Sequence, residues 1–183
     1  MEYRLAVLAS GEGSNLAALR GAGVRAALVI ADRACGALGV ARAQDIPALL
    51  IPRGSRRTRD LFDEEVVAAL GAFGITHIAC LGFMTILGRR MFGAYGGRIY
   101  NGHPSLLPAF KGAHAVEDAI AAGVSMTGCT LHEMELAIDS GRIIAQARVP
   151  IEPGDAVETL RARIKAREHE LYPWALGHVL AES

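Results

Sequence analysis

Leu5-Ala6-Val7-Leu8-Ala9-Ser10-Gly11-Glu12-Gly13-Ser14-Asn15-Leu16 is the stretch on which the fold of this chain turns. Residues 4–9 form a short apolar run that suits a buried strand, and Leu16, Leu19 and the alanines around them then repeat at helical spacing. The two glycines between them make a turn. Such a strand, turn and helix junction presents free backbone N–H groups and the positive end of a helix dipole, and glycine lets the backbone approach an anion closely. The spacing is not the dinucleotide fingerprint, which would need a glycine at Leu16, and the lysine of a P-loop is missing. Two readings stand side by side: a phosphate cradle, or a tight turn in which Ser14 or Asn15 caps the helix.

The same rhythm continues outward from that junction. Residues 24–30 read as a second strand, 36–44 as an alanine-rich helix, and 48–51 as a third strand closed by Pro52. The basic segment Arg53-Gly54-Ser55-Arg56-Arg57-Thr58-Arg59 reads as a solvated loop ahead of a helix over about 58–71, whose early Asp60, Asp63, Glu64 and Glu65 suit its dipole. Residues 76–81 are a fourth, apolar strand, and strands alternating with helices imply a parallel sheet with right-handed crossovers and ligands beyond the strands' carboxyl ends. Farther on, 114–122 reads as a helix and 127–133 as a strand, in which Cys129 and Leu131 oppose Thr130 and His132 as one buried and one exposed face. Residues 143–149 read as another strand. Residues 155–180 form a helical pattern interrupted before Pro173.

The chemistry gathers at Ile99-Tyr100-Asn101-Gly102-His103-Pro104-Ser105-Leu106-Leu107-Pro108. Apolar residues lead into Asn101, and Pro104 turns His103 away from helix, so Asn101 and His103 sit at a strand's end. At period two their side chains point the same way, and an amide N–H and an imidazole can converge on one carbonyl oxygen. That pair suits acyl transfer: the amide holds a developing oxyanion, and a histidine titrating near neutrality donates a proton or a charged hydrogen bond. Taken singly, the two residues equally suit the backbone of a proline-rich turn.

The string Asn-x-His-Pro-Ser-Leu-Leu-Pro resembles the signature of the folate-dependent formyltransferases, which move a formyl group from 10-formyltetrahydrofolate to an amine. The resemblance runs from the first strand to the last helix. It implies a Rossmann-like sheet with helices on both faces and antiparallel strands near the C-terminal part. It also implies a cis bond at Leu107-Pro108. Its implied reaction is transfer of the formyl group to the amine of N1-(5-phosphoribosyl)glycinamide in purine synthesis, with 10-formyltetrahydrofolate as co-substrate and no metal. The implied catalytic residues are Asn101, His103 and Asp139. Asp139 lies in Ile138-Asp139-Ser140-Gly141, ahead of Gln146-Ala147-Arg148-Val149-Pro150, and taken alone reads as turn chemistry. Beside an imidazole, a carboxylate favours the protonated ring.

By the same resemblance, Gly13, Ser14 and Asn15 would hold the substrate phosphate, and Glu168, in Glu168-His169-x-x-Tyr172-Pro173, would contact the ribosyl glycinamide. Gly82-Phe83-Met84-Thr85-Ile86-Leu87 resembles the folate segment, so Met84, Thr85, Ile86 and Leu87, with Arg59 and Asn101, would bind the donor. Two positions depart from the family pattern, Thr85 where many relatives carry Arg and Lys165 where Gln is frequent, and Glu12 puts an acid beside the phosphate loop where a neutral or basic residue is expected.

Bulk properties bound the rest. A chain of 183 residues, 51% hydrophobic and 21% charged, has room for one well-filled domain over 1–183. Residues 1–100 are expected to form a phosphate-binding βαβ half, and 101–183 a catalytic and folate-side half. Relatives that act on RNA or regulate the donor pool carry added domains, which a chain of this length is not expected to hold. Lys plus Arg and Asp plus Glu balance at 19 each, so no global charge favours nucleic acid or an anionic membrane. No apolar run reaches membrane-span length and the first one is too short for a secretion signal, so the expected setting is the cytoplasm. Cys35, Cys80 and Cys129 are scattered, which predicts reduced thiols and no zinc site. The expected partners are small molecules, and the expected state is a monomer or homodimer. Two alternatives remain: a formyltransferase acting on another small amine, of the sugar-nucleotide kind, or a non-catalytic folate or nucleotide binding module.

Overall fold

The computed structural model describes residues 3–54 and 58–182. In chain order the elements are β1 (Leu5–Ala9), α1 (Ser14–Gly21), β2 (Ala26–Ala31), α2 (Gly36–Ala43), β3 (Ala48–Leu50), α3 (Arg59–Ala72), β4 (His77–Leu81), α4 (Arg89–Tyr95), β5 (Ile99–His103), α5 (Ala115–Ala121), β6 (Met126–Glu133), β7 (Ile143–Pro150) and α6 (Val157–Ala181). They build a seven-stranded sheet in the order β3-β2-β1-β4-β5-β6-β7, parallel as far as β5 and antiparallel across β5-β6-β7. This is the mostly parallel α/β fold expected from the sequence. Ser55, Arg56 and Arg57 of the basic segment lie outside the described residues.

Every residue of β1 is buried, because successive side chains serve opposite faces of the sheet. Leu5 and Val7 join a core made with Leu16 and Leu19 of α1, Val116 of α5 and Leu160, Ile164, Leu176 and Leu180 of α6. Ala6 and Leu8 join the opposite core with Phe62, Val66 and Leu70 of α3 and Met91 and Tyr95 of α4. Chain order reverses between β1 and β4, which opens a crevice at their carboxyl ends. Two bonds tie the loops that leave these strands: Ser10 N–H donates to Gly82 O at 3.0 Å, and Met84 N–H to Ser10 Oγ at 2.8 Å.

Three elements differ from the sequence expectation. α4 carries no readable periodicity, and its start is capped from outside: the N–H groups of Gly88 and Met91 donate to the two carboxylate oxygens of Asp63 at 3.1 and 3.4 Å. Burial raises the Asp63 carboxyl above its ordinary range despite those two donors. β6 is buried on both faces, since Cys129 and Leu131 meet the α6 side while Thr130 and His132 face the loops around 105–107 and 139–140. α6 runs through Pro173 rather than stopping before it, because Tyr172, Pro173, Ala175 and Leu176 are all buried and their packing outweighs the lost hydrogen bond.

Candidate active site

A cavity of about 750 Å³ opens at the crevice. It is lined from the β1–α1 turn, the loop after β4, the end of β5, the 134–139 loop and α6. Gly13, Ser14, Asn15, Met84, Thr85, Ile86, Leu87, Asn101, His103, Asp139 and Glu168 all stand on its wall. Arg59 does not line it; the side-chain stem of Arg59 lies against Gly88, beside the loop.

The end built on β5 brings the three polar residues together. Asn101 pairs with His132, and His103 with Thr130, across the antiparallel β5–β6 ladder. Asp139, 38 positions beyond Asn101, turns its carboxylate back onto both. Oδ2 accepts from Gly112 N–H at 2.7 Å and lies 3.4 Å from His103 Nδ1, while Oδ1 lies 3.5 Å from Asn101 Nδ2. The remaining His103 nitrogen, Nε2, faces the Phe110 carbonyl at 2.8 Å. Nδ1 thus stands in ion-pair range of Asp139 and Nε2 against a carbonyl oxygen. Asp139 and Phe110 hold φ of 46° and 52°, a left-handed backbone that non-glycine residues adopt at a cost and that concentrates at functional sites.

Sequence reasoning missed His132. Its Nδ1 faces the carbonyls of Glu133 and Ser140, each at 3.0 Å, so it carries the proton, and Nε2 accepts from Asn101 Nδ2 at 3.1 Å. Burial lowers its basicity below the ordinary histidine value, against the pull of those carbonyls and Asp139, which keeps the ring neutral. The 3.1 Å bond fixes one amide hydrogen of Asn101; the other, at 3.5 Å from Asp139, is at the edge of hydrogen bonding and is free to meet a developing oxyanion. Only the β5–β6 register could have revealed His132. Gln146 was legible as a motif but not in its work: its Nε2 donates to Leu107 O and Thr130 Oγ1, each at 2.9 Å, and so anchors the loop after His103. Leu107-Pro108 in that loop is cis.

The opposite end is the β1–α1 turn against α6. Gly13 has φ 83°, and a Cβ there would meet Ala37 Cα at 2.7 Å, so this position admits no side chain. Neither Ser14 nor Asn15 caps α1; the cap position is Gly13 itself, without a side-chain bond. Asn15 instead donates through Nδ2 to Glu168 Oε2 at 3.0 Å, and its Oδ1 is shut from solvent with no partner among the described residues. Glu168 is pushed above the ordinary carboxyl range by burial, against the opposing bonds from Asn15 and Tyr172. Tyr172 stacks on Gly102, where a Cβ would come within 2.6 Å of the ring, and its hydroxyl lies 3.2 Å from Glu168 Oε1 and 3.4 Å from the His103 carbonyl.

Between the two ends, the walls are apolar. Met84, Ile86, Leu136 and Ile138 all line the cavity and are about half exposed, an apolar surface suited to an aromatic ring. Thr85 is not idle: its hydroxyl donates to Asp32 Oδ2 at 2.6 Å, and Asp32 is forked by Arg33 at 3.0 Å on both oxygens. Burial raises the Asp32 carboxyl, but the bonds from Arg33, Thr85 and Ser10 outweigh it, so the group is held below its ordinary value. Cys35, Cys80 and Cys129 are free thiols, and burial pushes Cys80 and Cys129 up to about 12. Among the described residues no group of His, Cys, Asp and Glu has the arrangement of a metal site, and no helix is long and apolar enough to cross a membrane.

Residues 3–176 match the model of the formyl transferase family. The phosphoribosylglycinamide formyltransferase of Mycobacterium tuberculosis is 42% identical over 173 residues, covering 92% of this chain and 80% of that protein. The human trifunctional purine biosynthetic protein adenosine-3 is 40% identical over 180 residues, 94% of this chain but 18% of that protein. Among solved structures, glycinamide ribonucleotide transformylase 1 of Geobacillus kaustophilus superposes with a TM-score of 0.93 at 40% identity, covering 98% of this chain and 100% of that one.

Proposed function

The chain belongs to the formyl transferase family, and from that premise we propose that it transfers the formyl group of 10-formyltetrahydrofolate to the amine of N1-(5-phosphoribosyl)glycinamide, a step of purine synthesis. The observation that carries this reading is the meeting of Asn101, His103 and Asp139 at one end of a cavity whose other end is an anion-ready glycine turn. The folate donor, when bound, supplies an activated formyl carbonyl and a nitrogen leaving group. The apolar residues Met84, Ile86, Leu136 and Ile138 suit its flat ring, and the backbone groups of residues 84–87 would orient it. Gly13, Ser14 and Asn15 hold the phosphate of the amine substrate, while Glu168 positions its sugar.

Asn101 and His103 then share the oxyanion that forms as the amine attacks. Asn101 Nδ2 meets the Asp139 carboxylate only at 3.5 Å and His103 Nδ1 stands 3.4 Å from it in ion-pair range without a hydrogen bond, so turning either towards a developing oxyanion costs little. Asp139, fixed by Gly112 N–H, takes up the proton that the attacking amine sheds and relays it to the folate nitrogen as the tetrahedral intermediate collapses, the carbonyl re-forms and the bond from the formyl carbon to that nitrogen breaks. The catalytic machinery needs no covalent enzyme intermediate. A setting in the cytoplasm and a monomeric or homodimeric state accompany this reading.

The direct test is a formyl-transfer assay with N1-(5-phosphoribosyl)glycinamide set against an amino-sugar nucleotide. Turnover of the first and none of the second is the expected result. An Asn101→Ala, His103→Ala double variant that keeps wild-type turnover would overturn the mechanism.

A further inference from the structure

Glu12 stands inside the glycine turn, where a carboxylate opposes any incoming anion. A Cβ on Gly36 would meet the Glu12 carbonyl oxygen at 2.8 Å, so the turn packs closely on the start of α2. The side chain, 82% exposed, reaches instead across the cavity mouth to α6, and Oε2 accepts from Lys165 Nζ at 2.8 Å. That bond joins residues 153 positions apart and lies at the same cavity end as Gly13, Asn15 and Glu168. The hydrogen bond and the charge of Lys165 draw the Glu12 carboxyl below its ordinary value. Among the described lining residues the other Lys or Arg cation, Arg161, is held by Glu117 at 2.7 Å. Each such cation on the cavity wall is therefore already matched to a carboxylate.

We propose that Glu12 is a built-in competitor for the phosphate of the substrate: its carboxylate occupies Lys165 until a phosphomonoester dianion enters the turn, takes Lys165 in exchange, and releases Glu12 to solvent. This rests on the reading of the turn as the phosphate site. An ion pair between exposed side chains is weak enough to exchange, and a dianion already held by backbone N–H groups offers Lys165 more charge than one carboxylate does. Glu12 thereby lowers the affinity for the true substrate modestly. It also shields Lys165 from singly charged anions, which makes the pair a specificity device rather than a catalytic one.

Steady-state kinetics of Glu12→Gln, Lys165→Met and the double variant test the exchange, with folding checked by thermal midpoint. Glu12→Gln is expected to lower KM for N1-(5-phosphoribosyl)glycinamide about two- to fivefold, with kcat and the KM for the folate donor unchanged. Lys165→Met is expected to raise KM for the amine about tenfold, and in that background Glu12→Gln should bring no further fall. A Glu12→Gln KM that is unchanged or raised while Lys165→Met raises it overturns the exchange and leaves the phosphate site standing. An undiminished fall in the Lys165→Met background also overturns it, since simple repulsion would then be the whole effect. If Lys165→Met leaves the amine KM at its wild-type value, the phosphate does not take Lys165 and the exchange is overturned, while the backbone N–H cradle stands; the phosphate site itself falls only if Gly13→Ala also leaves that KM unmoved.

Discussion

At the end of the cavity carried by β5, the working groups are nearly buried and tied into a ladder: His103 is 4% exposed, His132 1%, and each sits opposite a β5 or β6 partner whose register fixes it. At the end carried by the β1–α1 turn, backbone geometry does the holding, and the outermost charges, Glu12 and Lys165, meet at the surface. The first arrangement suits chemistry, which demands donors placed to a fraction of an ångström. The second suits capture, which must admit and release a charged molecule on every turnover. Substitutions at the first end should therefore act on kcat, and at the second on KM.

The sharpest way to break that contrast is Asp139→Asn. Asparagine tolerates the left-handed backbone and still accepts from Gly112 N–H, so folding should survive, while kcat should fall about 10²- to 10⁴-fold. Single-turnover rates together with thermal midpoints check this, and a loss of less than tenfold would deny Asp139 its role. Next comes Gly13→Ala, which meets both the positive φ and the Ala37 backbone. A cost of about 1–3 kcal/mol in stability is expected, with KM for the amine raised more than tenfold and KM for the folate donor unmoved. Equal damage to both KM values would mean that the ends are not independent.

Glu168→Gln sharpens the comparison from the boundary between the ends. Burial raises this carboxyl, so the folded state holds its proton more tightly than the unfolded chain, and stability is lost as pH rises from the ordinary carboxyl value through the raised one. The amide removes that loss: the thermal midpoint near neutral pH should hold or rise while KM for the amine climbs about tenfold. The smallest effect concerns His132. Its lowered value means that the unfolded chain binds a proton the folded one refuses, so stability is full above about pH 6.5 and is lost as pH falls towards the folded value. Thermal midpoints across that range should fall with acid, and His132→Gln should flatten the decline.

How far the sequence carried this picture varies by element. β1, the glycine turn and α1 are legible because strand, turn and helix signals are local and agree, and the triplet was assembled from motif resemblance. That Asp139 faces both Asn101 and His103 depends on a loop folding back over 38 positions, which no window of sequence contains. α4 was invisible for a related reason: its cap is Asp63, lent by α3, so its stability is not written in its own seven residues. His132 looked like the polar face of a half-exposed strand, because an alternating pattern cannot tell solvent from a buried polar network. Pro173 looked like a stop, and the packing on either side of it overrode the local rule.

Tyr172 gives the architecture one more property. A single phenol ring rests on the bare backbone of Gly102 and touches both Glu168 and the carbonyl of His103, so in the proposed reaction it would work as a caliper between the place where one reactant is gripped and the place where the other is attacked. In that reaction the span across which two molecules meet would be set by the dimensions of one rigid side chain, and a small change to that ring would retune the gauge of the whole enzyme.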